Sequence, residues 1–360
     1  MSGLKQPWLG IIATALLIAI SLVFVSLFSF ATFTGWVAFF LLCLIPMQIV
    51  TVVTWGASPA FAARQTQPMK GLVLMVSTLI IGTVVAGLTH ATIGGGIDPP
   101  TPMLAMCAIV SVVITFWLAI MWGGWPFTVM FKNLVAAGLT LLVACYVINY
   151  ALFRLFFDYG FMQGAPVYVA AQDPHGLFMA WNALVFYLSC LSAMFLVLNF
   201  DLWPLTTFPG VMRQPVLGIV WTVVALVIGG IAFWIGVVAM GMDPVAFMVR
   251  VPVPFIFGTI VVLNMLKGSL FASQKQPIKG VLNVVAVVVI GQVLAQLYGA
   301  LAPSVTGRLA PGPPPYEFEI WLASALLSVT FPFLIFYAEY FQFWPLQKVA
   351  EVQPRLRAKG

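Results

Sequence analysis

Long apolar stretches recur along the whole chain, separated by short segments rich in Pro, Gly, Gln and charged residues. Ten of these runs could each cross the hydrocarbon core of a bilayer as a helix, which takes about 20 apolar residues. They cover about 7–31, 33–54, 72–94, 103–123, 134–154, 177–199, 216–241, 250–271, 281–301 and 318–342. Polar and apolar residues do not alternate within the runs, as they would in barrel strands. The pattern predicts an all-α polytopic membrane protein with about ten transmembrane helices.

Composition supports a lipid environment. The chain is 62% hydrophobic and only 7% charged, whereas soluble domains are about 25% charged. The first run follows a single cation, Lys5, and is longer than the apolar core of a signal peptide, so we expect it to be retained as a helix. The four cysteines lie in four different runs without metal or redox spacing, which favours a packing role.

The cations are unevenly distributed between the two predicted sides. With ten spans both termini share a side, and three arginines, Arg154, Arg250 and Arg308, lie on the other. The side of the termini carries Lys5, Arg64, Lys70, Lys132, Arg213, Lys267, Lys275, Lys279, Lys348, Arg355, Arg357 and Lys359. The positive-inside rule then predicts a bacterial-type cytoplasmic (inner) membrane protein with N and C termini inside. This topology accounts for the net charge of +6, and no nucleic-acid partner is expected.

A short motif opens several of the runs. QPWLG (6–10), QPMKG (67–71), QPVLG (214–218) and QPIKG (276–280) share Gln-Pro-x-x-Gly, and KNLVAAG (132–138) is a degenerate copy without Pro. Trp-Pro closes other runs, at 125–126, 203–204 and 344–345. We therefore predict one membrane domain over 1–360, built from five parallel helical-hairpin repeats. The repeats cover approximately 6–66, 67–131, 132–213, 214–275 and 276–347, and a basic cytoplasmic tail covers 348–360.

The Gln-Pro and Trp-Pro motifs at the ends of the runs, here called joints, have a local physical explanation. Proline is tolerated in the first turn of a helix, where its missing N–H would have no partner, and Trp anchors helix ends at the membrane interface. A structural role is therefore the simpler interpretation. On the outer side Asp precedes Pro at 98–99, 173–174 and 243–244, which predicts helix N-caps there. Near the cytoplasmic ends, Glu339 is a candidate partner for Lys267 or for a cation of one of the joints.

Polar residues in the outer halves of the spans are the candidates for solute binding. They are His90, Asn149, Arg154, Asn182, Gln292 and Gln296. Gln292 and Gln296 are four residues apart and share a helix face. Interhelical hydrogen bonding could explain any one amide, but intramembrane polar groups also line wet cavities. Together they predict a hydrated vestibule open to the outer side.

The two histidines are candidates for metal binding. His90, His175 and Asp173 lie toward the outer side and could hold a metal ion or haem. The simpler alternative is two unrelated interfacial histidines, one of them beside a helix cap. Two histidines are too few for a membrane di-iron hydroxylase or desaturase. The cofactor is otherwise unknown, and no nucleotide-binding or hydrolase motif points to an enzyme.

Three functions are consistent with these features. The favoured one is a permease or channel for a small polar solute, recognised from the outer side. The alternative is a non-catalytic membrane subunit or anchor of a larger, possibly redox, complex, whose partners would dock on the outer loops 153–176 and 302–319. The third is a metal- or haem-binding membrane protein that uses the outer histidines. In each case the lipid bilayer is the surrounding partner.

Overall fold

The computed structural model describes residues 4–347, so the predicted tail 348–360 lies outside the described residues. Within this range ten helices are long and apolar enough to cross a membrane. They are α1 (Trp8–Ser26), α2 (Phe30–Thr54), α3 (Met69–Thr92), α4 (Pro102–Met121), α5 (Leu134–Phe156), α6 (Ala180–Asn199), α7 (Val216–Ala239), α8 (Pro244–Met265), α9 (Ile278–Val305) and α10 (Glu317–Tyr340). This confirms the prediction of a helical, multi-pass membrane protein.

The Asp-Pro caps were predicted correctly at one position of three. Asp243 caps α8 by accepting a hydrogen bond from the Ala246 N–H at 2.9 Å, so the helix begins at Pro244, earlier than predicted. The prediction is wrong for Asp98, because Thr101 caps α4 instead. It is also wrong for Asp173, because α6 begins at Ala180 with no side-chain cap. Asp173 instead binds groups of its own loop.

Burial divides the ten helices into two alternating sets. The even-numbered helices are here called the inner helices. In the most apolar 18-residue stretch of each, between 61% and 78% of the residues are buried. In the odd-numbered helices, here called the outer helices, the range is 22% to 44%. The outer helices therefore present most of their apolar residues to the surroundings, as lipid-facing helices do.

The inner helices close on themselves. α2 packs against α4, α4 against α6, α6 against α8, and α8 against α10, and α10 packs back against α2. Each outer helix lies over two inner helices. The outer helices α3, α5, α7 and α9 each pack along the inner helix that immediately precedes them in the chain. Each also touches the next inner helix back around the closed set, which for α3 is α10. α1 takes the corresponding place over α10 and α8, although it stands at the other end of the sequence.

Four of the five closely packed helix pairs, α2–α3, α4–α5, α6–α7 and α8–α9, are connected in the chain at the same end of the bundle. We call this end the joint end; it carries the Gln-Pro motifs and both ends of the described chain. The opposite end is called the loop end, and helices connected there make few contacts with each other. The predicted repeat boundaries therefore separate helices that pack together, such as α2 and α3. The division into five repeats stays a prediction.

The glutamine of the motif connects two helices at the joint end. Gln6 Nε2 donates to the Met265 carbonyl at 3.0 Å, and its Oε1 accepts from the Gly10 N–H at 3.3 Å. Gln67 bridges Tyr340 and Gly71 in the same way, and Gln214 bridges Met121 and Gly218. The first N–H groups and last carbonyls of a helix lack intrahelical partners. One side chain thus satisfies the start of an outer helix and the end of an inner helix.

In the remaining two joints the hydrogen bond between the glutamine and the end of an inner helix is replaced by a different one. At the start of α9, Gln276 Oε1 accepts from the Gly280 N–H at 3.0 Å, but its Nε2 donates to the Asp201 carboxylate at 2.9 Å. Lys279 pairs with the same carboxylate at 2.6 Å. At the start of α5, where the Gln-Pro is missing, the Trp55 indole N–H donates to the Leu134 carbonyl at 2.8 Å. Asp201 therefore takes part in the joint at the start of α9.

The glycine of the motif allows the two helices to approach each other. A Cβ on Gly218 would lie 2.6 Å from the Trp122 ring, and a Cβ on Gly71 would lie 2.6 Å from the Phe341 ring. Real Cβ atoms essentially never come so close to another heavy atom. The ring in each case belongs to the residue that follows an inner helix, so the glycine makes room for it.

Candidate functional site

Three phenylalanines meet inside the inner bundle. Phe116 of α4 lies 5.2 Å from Phe195 of α6 and 6.2 Å from Phe331 of α10, measured between ring centroids. All three are buried, at 7%, 2% and 5% exposure. The neighbours of α4 in the closed set are α2 and α6, so α10 lies across the bundle from it. Phe116 therefore reaches across the axis of the inner helices, and we call the three residues the axial cluster.

Geometry explains why aromatic residues are needed at this position. Five helices packed side by side at 8–10 Å leave a central gap of about 2–3 Å radius once the helix bodies are subtracted. Side chains must either fill this gap or leave it open to water. The axial cluster fills it in the half of each helix nearer the joint end. The described structure is thus closed at this level.

Buried polar side chains lie mainly where inner helices meet outer ones. The Tyr340 and Thr78 hydroxyls share a hydrogen bond of 2.8 Å between α10 and α3. Those of Tyr298 and Thr330 share one of 2.6 Å between α9 and α10. These bonds stabilise the contact between the two sets of helices. Gln48 and Asn199 are exceptions, because each donates from one inner helix to another: Gln48 to the Pro332 carbonyl at 2.9 Å, and Asn199 to the Thr259 hydroxyl at 3.2 Å.

The six candidate solute-binding residues lie mostly on outer helices and do not meet at one place. His90 lies on α3, Asn149 and Arg154 on α5, Asn182 on α6, and Gln292 and Gln296 on α9. Asn149 is buried and donates to the Cys107 carbonyl at 3.2 Å. Gln292 donates to the Arg250 carbonyl at 2.7 Å. Arg154 and Gln296 are exposed. Their role in solute binding stays a prediction.

Asn182, the candidate on an inner helix, faces a groove rather than the axis. This groove of about 680 Å³ lies between the outer helices α5 and α7 and is lined almost entirely by apolar side chains, among them Trp117, Phe156 and Phe233. A groove of about 690 Å³ occupies the matching position between α1 and α3. Both open toward the lipid-facing side of the outer helices.

The two predicted metal-binding histidines lie in different surroundings. His90 Nε2 is 3.3 Å from the Asp98 carboxylate and 3.0 Å from the Ile97 carbonyl, and its ring packs on Trp36. His175 lies beside Asp173, as predicted, at 3.4 Å. Asp158 completes this second group, and the three ligand atoms of Asp158, Asp173 and His175 lie within 4.8 Å of one another. We call these three residues the outer-loop cluster.

Sequence reasoning missed Asp158 as a member of this cluster. Asp158 and Asp173 are 15 residues apart, and a two-residue parallel strand pair, Phe157–Asp158 with Phe178–Met179, brings the two ends of the loop together. Such short strands leave no periodic signal in the sequence. The density of acidic and aromatic residues in 153–176 was the only available indication.

The charged group at the joint end was predicted in part. Lys267 Nζ lies 2.6 Å from the Glu339 carboxylate, which confirms the predicted pairing of these two residues. The same oxygen accepts a hydrogen bond from Asn264 at 3.0 Å. Asn264 and Lys267 come from the end of α8 and Glu339 from the end of α10, so the group links two inner helices at their joint ends.

No protein-family model matches this sequence, and neither a curated protein nor a solved structure matches it.

Proposed function

We propose that this chain is a membrane permease or channel for a small polar solute, and that its path is the axis of the five inner helices. The observation that carries the proposal is the closed set of inner helices whose centre is filled by the axial cluster. In this account Phe116, Phe195 and Phe331 form the barrier to permeation. Their movement, rather than that of whole domains, would open the path.

The outer helices support this arrangement. They cover the seams between inner helices and expose their apolar side chains outward, which separates the axis from lipid. Joint residues such as Gln6 and Gln214 tie the start of an outer helix to the end of an inner helix. A scaffold held in this way can keep its shape while the buried side chains on the axis change rotamer.

Five similar helix pairs around one axis form part of the same proposal. The chain would be a fivefold pseudo-repeat in which α10 and α1 form the fifth packed pair. The joint end would face the cytoplasm, because most lysines and arginines lie there. Solute would enter from the loop end, which carries six of the nine acids: Asp98, Asp158, Asp173, Asp243, Glu317 and Glu319.

The proposal is tested by shortening the barrier residue. The purified chain is reconstituted into liposomes, and urea uptake is followed by stopped-flow light scattering and ion flux by conductance in KCl. Phe116→Ala should raise at least one of these fluxes about tenfold over wild type. Phe153→Ala is the matched control, because Phe153 is equally buried but stacks on Phe157, away from the axis. Wild-type flux from folded Phe116→Ala protein would contradict the proposal.

A second candidate function is a membrane subunit that docks a partner protein at the loop end. The observation that favours it is a set of exposed apolar side chains on the loop between α5 and α6. Phe161, Val167, Leu177 and Phe178 are 45%, 47%, 67% and 54% exposed. Native mass spectrometry after extraction in mild detergent distinguishes the two functions. A stoichiometric second chain, lost when Phe161 and Val167 are replaced by Ser, would favour the subunit.

A further inference from the structure

The loop between α5 and α6 brings three metal-ligating side chains together. Asp158 follows the end of α5, and Asp173 and His175 precede α6. His175 Nδ1 lies 3.4 Å from Asp173 Oδ2 and 3.9 Å from Asp158 Oδ1. Ligand atoms held about 2.0–2.2 Å from a tetrahedral zinc ion are themselves about 3.3–3.6 Å apart. The first distance falls within this range and the second is slightly longer, so small rotations of the exposed side chains would bring the three ligand atoms into a coordination shell.

The surrounding loop holds the Asp173 carboxylate in place. Its side chain is fully buried, and its Oδ1 accepts from the Tyr159 N–H at 3.1 Å and the His175 N–H at 2.9 Å. Its Oδ2 accepts from the Tyr168 hydroxyl at 2.9 Å. Hydrogen bonds of this kind, made by neighbouring groups to a metal ligand, orient the ligand and tune its affinity for the metal.

The other two members face water. The side chains of His175 and Asp158 are 63% and 39% exposed. His175 has a left-handed backbone conformation, with φ of 51°, which is uncommon for a residue with a side chain. Its N–H is bound to Asp173, so this conformation sets where its imidazole points. An ion could enter from solution and keep water in its remaining coordination positions.

We propose that Asp158, Asp173 and His175 bind one Zn²⁺ ion at the loop end of the molecule. One imidazole and two carboxylates suit this ion, and three protein ligands with an open position are typical of solvent-accessible zinc sites. The His90–Asp98 pair offers an internal comparison. There a single carboxylate faces the histidine, and the Ile97 carbonyl lies within hydrogen-bond distance of the same Nε2. That pair should not hold zinc.

Zinc at this position would tie the outer loop to the membrane helices. The ion would join the end of α5 to the start of α6. Gln172, next to Asp173, donates to the Gly94 carbonyl at 2.7 Å and is also hydrogen-bonded to Thr101, which caps α4. The occupied site would therefore stabilise the loop against the connection between α3 and α4.

Metal binding can be measured independently of any flux. The full chain, with affinity tag removed and stripped with EDTA, is titrated with ZnCl₂ by calorimetry and with CoCl₂ by visible absorption. Wild type should bind one Zn²⁺, and Co²⁺ should give the intense bands of a tetrahedral site. His175→Ala and Asp158→Asn should each weaken binding at least tenfold, and Tyr168→Phe by about tenfold. His90→Ala should bind as wild type does.

Three results would overturn the zinc proposal. They are no binding by the wild type, binding by His175→Ala within twofold of wild type, and equal loss in His90→Ala and His175→Ala. Because His175 and Asp158 are exposed, their variants should fold normally, and circular dichroism confirms this. If the chain binds zinc but Phe116→Ala shows no rise in flux, the zinc site stands and only the permeation proposal is removed.

Discussion

Gln214 Nε2 donates a hydrogen bond of 2.9 Å to the carbonyl of Met121, a residue 93 positions earlier in the chain. The bond joins the beginning of α7 to the end of α4. Both helix ends carry backbone groups without intrahelical partners, which are costly to leave unpaired where water is scarce. The Gln-Pro-x-x-Gly motif is thus a contact between helices distant in sequence rather than a ligand-binding motif.

Loss of this side chain should reduce stability without changing the fold. Gln214→Ala removes one interhelical bond and the bond to the Gly218 N–H, and should lower the free energy of unfolding by about 1–2 kcal/mol. Thermal unfolding in detergent, followed by circular dichroism, measures the effect. Gln65→Ala is the control, because Gln65 is exposed in another joint. Equal melting temperatures for the two variants would show that the bond contributes nothing.

The glycine of the same joint should tolerate no side chain. Gly218→Ala places a Cβ 2.6 Å from the Trp122 ring, and overpacking of this kind costs about 1–3 kcal/mol. Gly210→Ala is the matched control, because a Cβ there would meet nothing within 4 Å. Urea or thermal unfolding of the two variants measures the difference. The packing account fails if Gly218→Ala is as stable as Gly210→Ala.

The sides of the membrane can be assigned with single cysteines. The four native cysteines are all buried and are replaced by Ala first. Ser273→Cys lies at the joint end and Gln163→Cys at the loop end, and both positions are exposed. In intact cells a membrane-impermeant maleimide should label position 163 and not position 273. The reverse pattern would invert the proposed orientation.

Circular permutation tests whether α1 and α10 behave as a packed pair like the others. Both ends of the described chain lie at the joint end, and α1 packs on α10. A flexible linker from the C terminus to the N terminus, with new ends at Gly210, should give a folded protein with wild-type helix content. A second permutant, opened within α4 after Val110, should not fold. An unfolded first permutant would argue against five equivalent pairs.

Length and apolar pattern were sufficient to predict the spans, because lipid and the backbone hydrogen-bond requirement leave few alternatives. Hydropathy could not separate inner from outer helices. α4 and α7 are equally apolar, but 72% of the residues in the most apolar 18-residue stretch of α4 are buried, against only 22% in α7. Lipid tails are as apolar as a protein interior. The distinction therefore depends on packing, which composition does not record.

The candidate sites were predictable only where chain neighbours form them. Asp173 and His175 are two residues apart and could be paired from the sequence. Asp158 lies beside them only because the short strand pair brings the two ends of the loop together. The axial cluster was not predicted at all, because Phe116, Phe195 and Phe331 are three of thirty phenylalanines on three separate helices. They come into contact only because the five inner helices pack in a closed set.

The most direct test of the central claim joins two axial residues covalently. In the chain without native cysteines, Phe116→Cys and Phe331→Cys are combined and treated with a short bifunctional thiosulfonate that bridges the axis. The reduced double variant should pass solute faster than wild type, the cross-linked form should pass none, and dithiothreitol should restore the flux. Efficient cross-linking with no change in flux would contradict the account, because the path would then lie elsewhere.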